Sequence, residues 1–193
     1  MSGRRGNAMT GTVIVIGGGV RSGKSAFALA RARALGERRG FVATAQAFDA
    51  EMAARIADHV RTRGPSFQTI EEPIAVPERL AALRDLDVVV LDCLTLWLSN
   101  LMLRDEPVVQ IAARVDDLVR VALHRRFHTI IVTNEVGMGI VPDSPLGRAF
   151  RDVAGHAHQR LAAVADELYL AAIGAIVRLR PDPIMMQSPG GHS

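Results

Sequence analysis

Gly18-Gly19-Val20-Arg21-Ser22-Gly23-Lys24-Ser25 is the stretch of this chain with the most concentrated chemistry. It fits G-x-x-x-x-G-K-S, the phosphate-binding loop that joins a strand to a helix. Each residue type has a reason. Glycines let the backbone approach phosphate oxygens, and successive N–H groups then point inward. The helix that begins here adds the positive end of its dipole. Lys24 can reach terminal phosphates, and Ser25 can ligate magnesium. The context agrees: Thr12-Val13-Ile14-Val15-Ile16 precedes the loop as an apolar run, and Ala26 to Leu35 follows with helical character.

Asp92 ends a second apolar run, Val88-Val89-Val90-Leu91. An acidic residue there can hold the magnesium shell in a phosphate-loop protein, or simply cap the next turn. Glu51, Arg55, His59 and Arg63 recur every four residues and form one polar stripe on a helix. Arginines one turn either side of a histidine suit a phosphorylated ligand, and the imidazole could act as nucleophile. Spacing alone is equally satisfied by a solvated charged face. His156 and His158, two apart on a helix, do not make a metal site. Cys93 reads as a small buried residue, and Arg148 and Arg151 as anion-directed or plain surface arginines.

Elements must bring these residues together. The pattern predicts strands over Thr12–Ile16, Gly40–Thr44, Leu86–Leu91, His128–Thr133, Glu167–Ile173 and Ala175–Leu179, with a short extended piece at Phe67–Ile70. Helices are predicted from Ala26 to about Gly36, Ala50 to about Thr62 behind an Asp49 cap, Pro77 to Leu83, Val108 to Arg126, and Leu146 to Ala165. Alternation of strands and helices implies an α/β fold with a mostly parallel sheet covered on both faces. Ligands then sit at the carboxyl ends of the strands, where Gly18, Thr44, Asp92 and Asn134 all fall. The 193 residues suffice for one nucleotide-binding domain, with residues 1–11 and 181–193 expected to be flexible.

Composition narrows the partners. Hydrophobic residues make 49% of the chain and charged residues 22%, a globular balance. No apolar run reaches the roughly 18 residues that span a bilayer, and the single cysteine suits a reducing cytoplasm. The net charge of +3 is spread rather than blocked, and aromatics are only 4%, which argues against nucleic acid and for an anionic small molecule. A single-activity small-molecule kinase and a regulatory or motor ATPase share the same loop. The absence of a basic run and of a second domain counts against the ATPase.

Further blocks carry a more specific resemblance. Glu51-Met52-Ala53-Ala54-Arg55-Ile56 with His59, Asn134-Glu135-Val136-Gly137-Met138-Gly139-Ile140-Val141-Pro142, Phe150-Arg151-Asp152-Val153-Ala154-Gly155 and Gln159-Arg160-Leu161-Ala162 follow the loop in order. From about Val13 to Leu179 the chain resembles the bifunctional adenosylcobinamide kinase / adenosylcobinamide-phosphate guanylyltransferases of cobalamin biosynthesis. The resemblance implies a RecA-like phosphate-loop fold, magnesium, ATP or GTP as phosphoryl donor, and GTP as source of a GMP group. It implies that GMP is carried on a histidine matching His59, which favours the chemical reading of the charged stripe. With Lys24 as the other catalytic residue, the family's nucleotide contacts match Gly18, Gly19, Val20, Arg21, Ser22, Gly23, Lys24, Ser25, Thr44, Ala45, Gln46, Val60, Arg61, Thr62, Arg63, Glu71 and Asp92. Ser25 and Asp92 fall at the metal positions. A homo-oligomer, with a trimer as the expected form, is also implied. Three positions depart from the family pattern: Phe67 where tryptophan is frequent, Asp92 where some members have glutamate, and His158 where asparagine is common.

Overall fold

In the computed structural model, residues 11–47, 50, 57, 60, 61 and 63–187 are described. His59, Glu51, Arg55 and Thr62, together with Met52 and Ile56, lie outside them. The elements in order are β1 (Val13–Gly18), α1 (Lys24–Leu35), β2 (Arg39–Ala43), β3 (Gln68–Glu71), α2 (Val76–Ala82), β4 (Val88–Asp92), α3 (Leu94–Met102), α4 (Val108–Leu123), β5 (His128–Asn134), α5 (Pro145–Val164), β6 (Glu167–Ala172), β7 (Ala175–Arg180) and β8 (Ile184–Gln187). Ala50, Ala57, Val60, Arg61 and Arg63 are helical, in agreement with the expected helix there.

The strands form one sheet in the order β3-β2-β4-β5-β1-β6-β7-β8. Pairing is parallel from β3 through β6 and antiparallel from β6 to β8. The central strands read as unbroken apolar runs because both faces are covered. Successive side chains alternate between the faces. Ile14 and Ile16 pack with Phe27, Ala28 and Leu29 of α1, whereas Val15 packs on the side of α3, α4 and α5.

Two expectations change. Residues 181–193 were read as a tail, yet Ile184–Gln187 adds an antiparallel strand beside β7. Helix α3 had no sequence prediction, for a physical reason. Leu94, Thr95, Trp97, Leu98, Asn100 and Leu101 are all buried, so Leu-Thr-Leu-Trp-Leu-Ser-Asn-Leu-Met shows no polar face to set a helical period. It lies under the sheet as a core helix between β4 and α4. Its main anchor is Trp97, fully buried, whose Nε1 donates to the Ile74 carbonyl oxygen at 2.8 Å. Arg114 Nη2 donates to the same oxygen at 3.0 Å.

Replacing Trp97 with Ala should cost about 3–5 kcal/mol through cavity formation, seen as a lower urea midpoint at unchanged slope. Trp97→Phe should cost less, about 1–2 kcal/mol, because Arg114 still serves the Ile74 carbonyl. Equal losses for the two variants would show that the indole hydrogen bond, not the packed volume, is what matters.

Candidate active site

The site is built where β1 stops and α1 starts. Gly23 precedes α1 with φ of 91°, and Arg21 takes φ of 54°, so the chain turns through left-handed backbone twice within the loop. No side chain caps α1, which leaves its first N–H groups facing the loop. Gly18 meets a second demand. A Cβ there would collide with the carbonyl oxygen of Ala171 and come within 2.9 Å of Ser22 Oγ. Only glycine lets the loop leave β1 between β5 and β6.

Lys24 is buried, and its Nζ donates to the Gly19 carbonyl oxygen at 2.9 Å. Burial pushes its pKa down, opposed by the negative charge of Asp92 and, only when ionised, of Cys93. Ser22 Oγ is also buried and has no hydrogen-bond partner among the described residues. A loop that buries an ammonium group and an unsatisfied hydroxyl is suited to an anion with several oxygens. Ser25 is the second residue of α1 and is half-buried.

Neighbouring strand ends carry the rest. The register sets Glu71, Ala43 and Asp92 side by side across β3, β2 and β4, and sets Gly18 opposite both Asn134 and Ala171. Thr44, fully buried, ties β2 to β4: its Oγ1 accepts from the Cys93 N–H at 2.9 Å and donates to the Cys93 carbonyl at 2.9 Å. Asn134 Nδ2 donates to Thr95 Oγ1 at 2.9 Å, which ties β5 to the start of α3. The Glu135 N–H donates to the Gly18 carbonyl at 3.0 Å and brings the β5 loop against the phosphate loop. Cys93 is buried and its thiol pKa is pushed up by that burial, so it belongs to the scaffold.

Arg63 occupies a different environment from that of a solvated stripe. It is buried, its guanidinium carbon sits 3.8 Å from the centre of the Phe41 ring, and Nη2 donates to Thr69 Oγ1 at 3.2 Å. Burial lowers its pKa, while the carboxylates of Asp92 and Glu71 oppose the shift. Val60 and Arg61 are exposed, and Ala45 and Gln46 are half-buried. The phosphate loop, Thr44, Glu71, Arg63 and Asp92 therefore share one edge of the sheet, whereas the placement of His59 and Thr62 falls outside the described residues. His158 lies on α5 with Nε2 2.7 Å from Thr133 Oγ1, and burial lowers its pKa.

Sequence reasoning missed Thr95 and Asn100. Asn100 is buried and donates to the carbonyls of Thr44 at 2.8 Å and Pro73 at 3.0 Å. The available signal was a polar amide inside an otherwise apolar run, since a buried amide must find partners. A groove of about 440 Å³ opens between α4 and α5, lined by Val115, His156 and Arg160 among others, and none of the candidate nucleotide-site residues borders it. Among the described residues no cluster of three or more His, Cys, Asp or Glu side chains could hold a metal.

Comparison with known proteins shows the family and the fold. The family model for cobinamide kinase / cobinamide phosphate guanyltransferase matches residues 14–179, and the chain belongs to that family. The bifunctional adenosylcobalamin biosynthesis protein CobP of Pseudomonas aeruginosa is 36% identical over 168 residues, covering 86% of this chain and 96% of that protein. The bifunctional adenosylcobalamin biosynthesis protein CobU of Escherichia coli is 37% identical over 183 residues, covering 87% and 99%. Its namesake from Salmonella typhimurium is 36% identical with the same coverage. A crystal structure of the RadB recombinase superposes with a TM-score of 0.51 at 17% identity, covering 92% of this chain and 86% of that one. That likeness shows the RecA-like phosphate-loop fold.

Thr44→Val keeps the shape of residue 44 but removes the partner of the Cys93 N–H, while the Cys93 carbonyl keeps the Trp97 N–H at 3.2 Å. It should cost about 1–3 kcal/mol, measured by denaturant unfolding, and should speed hydrogen exchange at the Cys93 amide. Unchanged exchange at that amide would mean that the tie between β2 and β4 does not depend on the hydroxyl.

Proposed function

We propose that this chain, as a member of the cobinamide kinase / cobinamide phosphate guanyltransferase family, phosphorylates adenosylcobinamide with ATP or GTP and then joins GMP to the product. The observation that carries the reading is the phosphate loop itself: Lys24 buried against Gly19 and Ser22 Oγ left unsatisfied, in a chain that the family matches from residue 14 to 179. In the first reaction the acceptor hydroxyl attacks the γ-phosphorus of the triphosphate, the bond from that phosphorus to the β,γ-bridging oxygen breaks, the nucleoside diphosphate leaves, and the hydroxyl proton passes to solvent. Lys24 offsets phosphate charge, and the loop amides hold the β- and γ-phosphates in line. No protein nucleophile is needed.

The second reaction needs one. The neutral imidazole of His59 attacks the α-phosphorus of GTP, the bond to pyrophosphate breaks, and a P–N bond forms. A phosphate oxygen of adenosylcobinamide phosphate then attacks the same phosphorus and releases the imidazole, giving adenosylcobinamide-GDP. Lys24 and the loop N–H groups stabilise the departing pyrophosphate. Gly18 to Ser25, Thr44 to Gln46, Val60 to Arg63, Glu71 and Asp92 form the proposed nucleotide site.

The donor set fits magnesium. A hydroxyl from Ser25 and a carboxylate from Asp92 are hard oxygen ligands, and so few protein ligands suit an ion that keeps waters and phosphate oxygens in its shell. Magnesium bound there would neutralise phosphate charge. No helix among the described residues is long and apolar enough to cross a membrane. With the single, buried free cysteine, this supports a cytoplasmic setting. The family resemblance supports a homo-oligomer, with a trimer as the proposed form.

Incubation with α-labelled GTP tests the central step. Label should remain on the parent protein, acid-labile and more stable in base, as expected for a phosphoramidate. His59→Ala should lose the label and guanylyl transfer while retaining measurable phosphorylation of adenosylcobinamide. Label on the His59→Ala protein, or mapped to His124, His128, His156 or His158, would refute the assignment. Asp92→Asn removes charge at constant size. It should raise the magnesium concentration for half-maximal rate, and an unchanged magnesium titration would assign Asp92 a structural role.

A further inference from the structure

The edge that carries the phosphate loop is divided. The ends of β3, β2 and β4 supply Glu71, Thr44 and Asp92, all polar. The loops after the next three strands in the sheet, β5, β1 and β6, are different. They expose Met138, Ile140 and Val141, Val20, and Ile173, at 80, 97, 61, 75 and 104% of full accessibility. Five apolar side chains from three adjacent loops thus face solvent around the phosphate loop. An exposed apolar cluster of this kind marks a binding surface.

The largest of these loops is held in shape. The Glu135 carboxylate accepts the N–H groups of Gly137 and Met138, each at 2.9 Å. Arg151 Nη2 donates to the Gly137 carbonyl at 2.7 Å, and Arg148 Nη1 donates to the carbonyls of Pro142 at 3.0 Å and Asp143 at 2.7 Å. Its base is bound to Gly18 through the Glu135 N–H at 3.0 Å. The apolar side chains are therefore presented outward from an anchored frame beside the reacting phosphates.

We infer that this apolar half of the edge docks the corrin macrocycle of the phosphoryl acceptor. The inference rests on the proposed kinase reading. The acceptor hydroxyl must reach the terminal phosphate above the loop, so the body to which it is attached must rest on neighbouring surface. A corrin ring is broad and carries methyl groups among the amide side chains of its rim, and the polar half of the edge offers those methyl groups no apolar contact. The loops after β5 and β6 do, and they flank the phosphate loop, which adds Val20. The same surface serves both reactions, because the hydroxyl and its later phosphate belong to the same corrinoid.

The test compares the intact chain with Met138→Ser and with Ile140→Ser/Val141→Ser, using adenosylcobinamide and GTP as probes. Loss of one or two buried apolar side chains should raise the KM for adenosylcobinamide about tenfold or more, with kcat, the KM for GTP and the sedimentation coefficient unchanged. Ile140→Leu should restore the parent value. Leu123→Ser, an exposed apolar position at the far end of α4, should have no effect. An unchanged KM for adenosylcobinamide in an active parent would overturn the docking surface and leave the kinase reading intact. A raised KM for GTP would assign the patch to the nucleotide base, and a lowered sedimentation coefficient would assign it to an interface between copies; either outcome overturns the inference. A parent that neither binds nor phosphorylates adenosylcobinamide would remove the kinase reading and the inference together.

Discussion

The hydroxyl of Thr44, buried between two strand ends, satisfies both backbone groups of Cys93. The site depends on that arrangement. Beyond their last ladder bonds, parallel strands leave N–H and C=O groups that must be paired or hydrated. Here short polar side chains pair them. Thr44 joins β2 to the β4 end, Asn100 holds the Thr44 carbonyl from beneath, and Asn134 with Thr95 joins β5 to α3. The result is a set of strand ends whose backbone is tied together beneath the loop. Lys24 and Asp92, on separate strand–helix connections, feel each other's charge across it.

Burial beside these strand ends has an electrostatic consequence. Lys24 and Arg63 are both buried cations whose pKa values are lowered by burial. Neither would be retained in such surroundings without a counter-charge or a polarisable neighbour. Arg63 has the Phe41 ring and the fields of Asp92 and Glu71. Lys24 has Asp92 and one loop carbonyl, which leaves donors on its ammonium group directed into the loop. A polyanion entering the loop meets a partly desolvated cation, where each charge interaction counts for more than it would in water.

Much of this was legible in the sequence. The glycines and Lys24 announced the loop, and continuous apolar runs located β1, β4 and β5 to within two residues at either end. Asp92 and Asn134 were placed at the ligand edge by strand counting alone. Three features were hidden for distinct reasons. Helix α3 is buried over most of its surface, and its half-buried face, Leu96, Ser99 and Met102, is itself mostly apolar, so the sequence shows no charged stripe to mark a helix. Strand β8 follows Pro181 and Pro183, and turn-forming composition masked a four-residue pairing that only β7 could specify. Arg63 recurs at the spacing of a surface stripe, but it is buried against the Phe41 ring, which β2 brings from far back in the chain, and bonded to Thr69 in the strand that follows.

The two proposed reactions place opposite demands on one edge. Phosphoryl transfer requires the acceptor in line with the γ-phosphorus, whereas guanylyl transfer requires a nucleophile in line with the α-phosphorus and the two outer phosphates as leaving group. A single loop can satisfy both only if the two nucleophiles approach from different directions. The sheet order supplies two directions. The segment that connects β2 to β3 belongs to the polar side, and Arg63 near its end packs on the Phe41 ring of β2. The exposed apolar loops stand on the β5 and β6 side of the phosphate loop. A histidine carried by the first segment and a corrinoid resting on the second need not displace one another. In the strand order β4 stands between the β2–β3 connection and the loop after β5, and that spacing would give one phosphate loop a physical route to the two proposed chemistries.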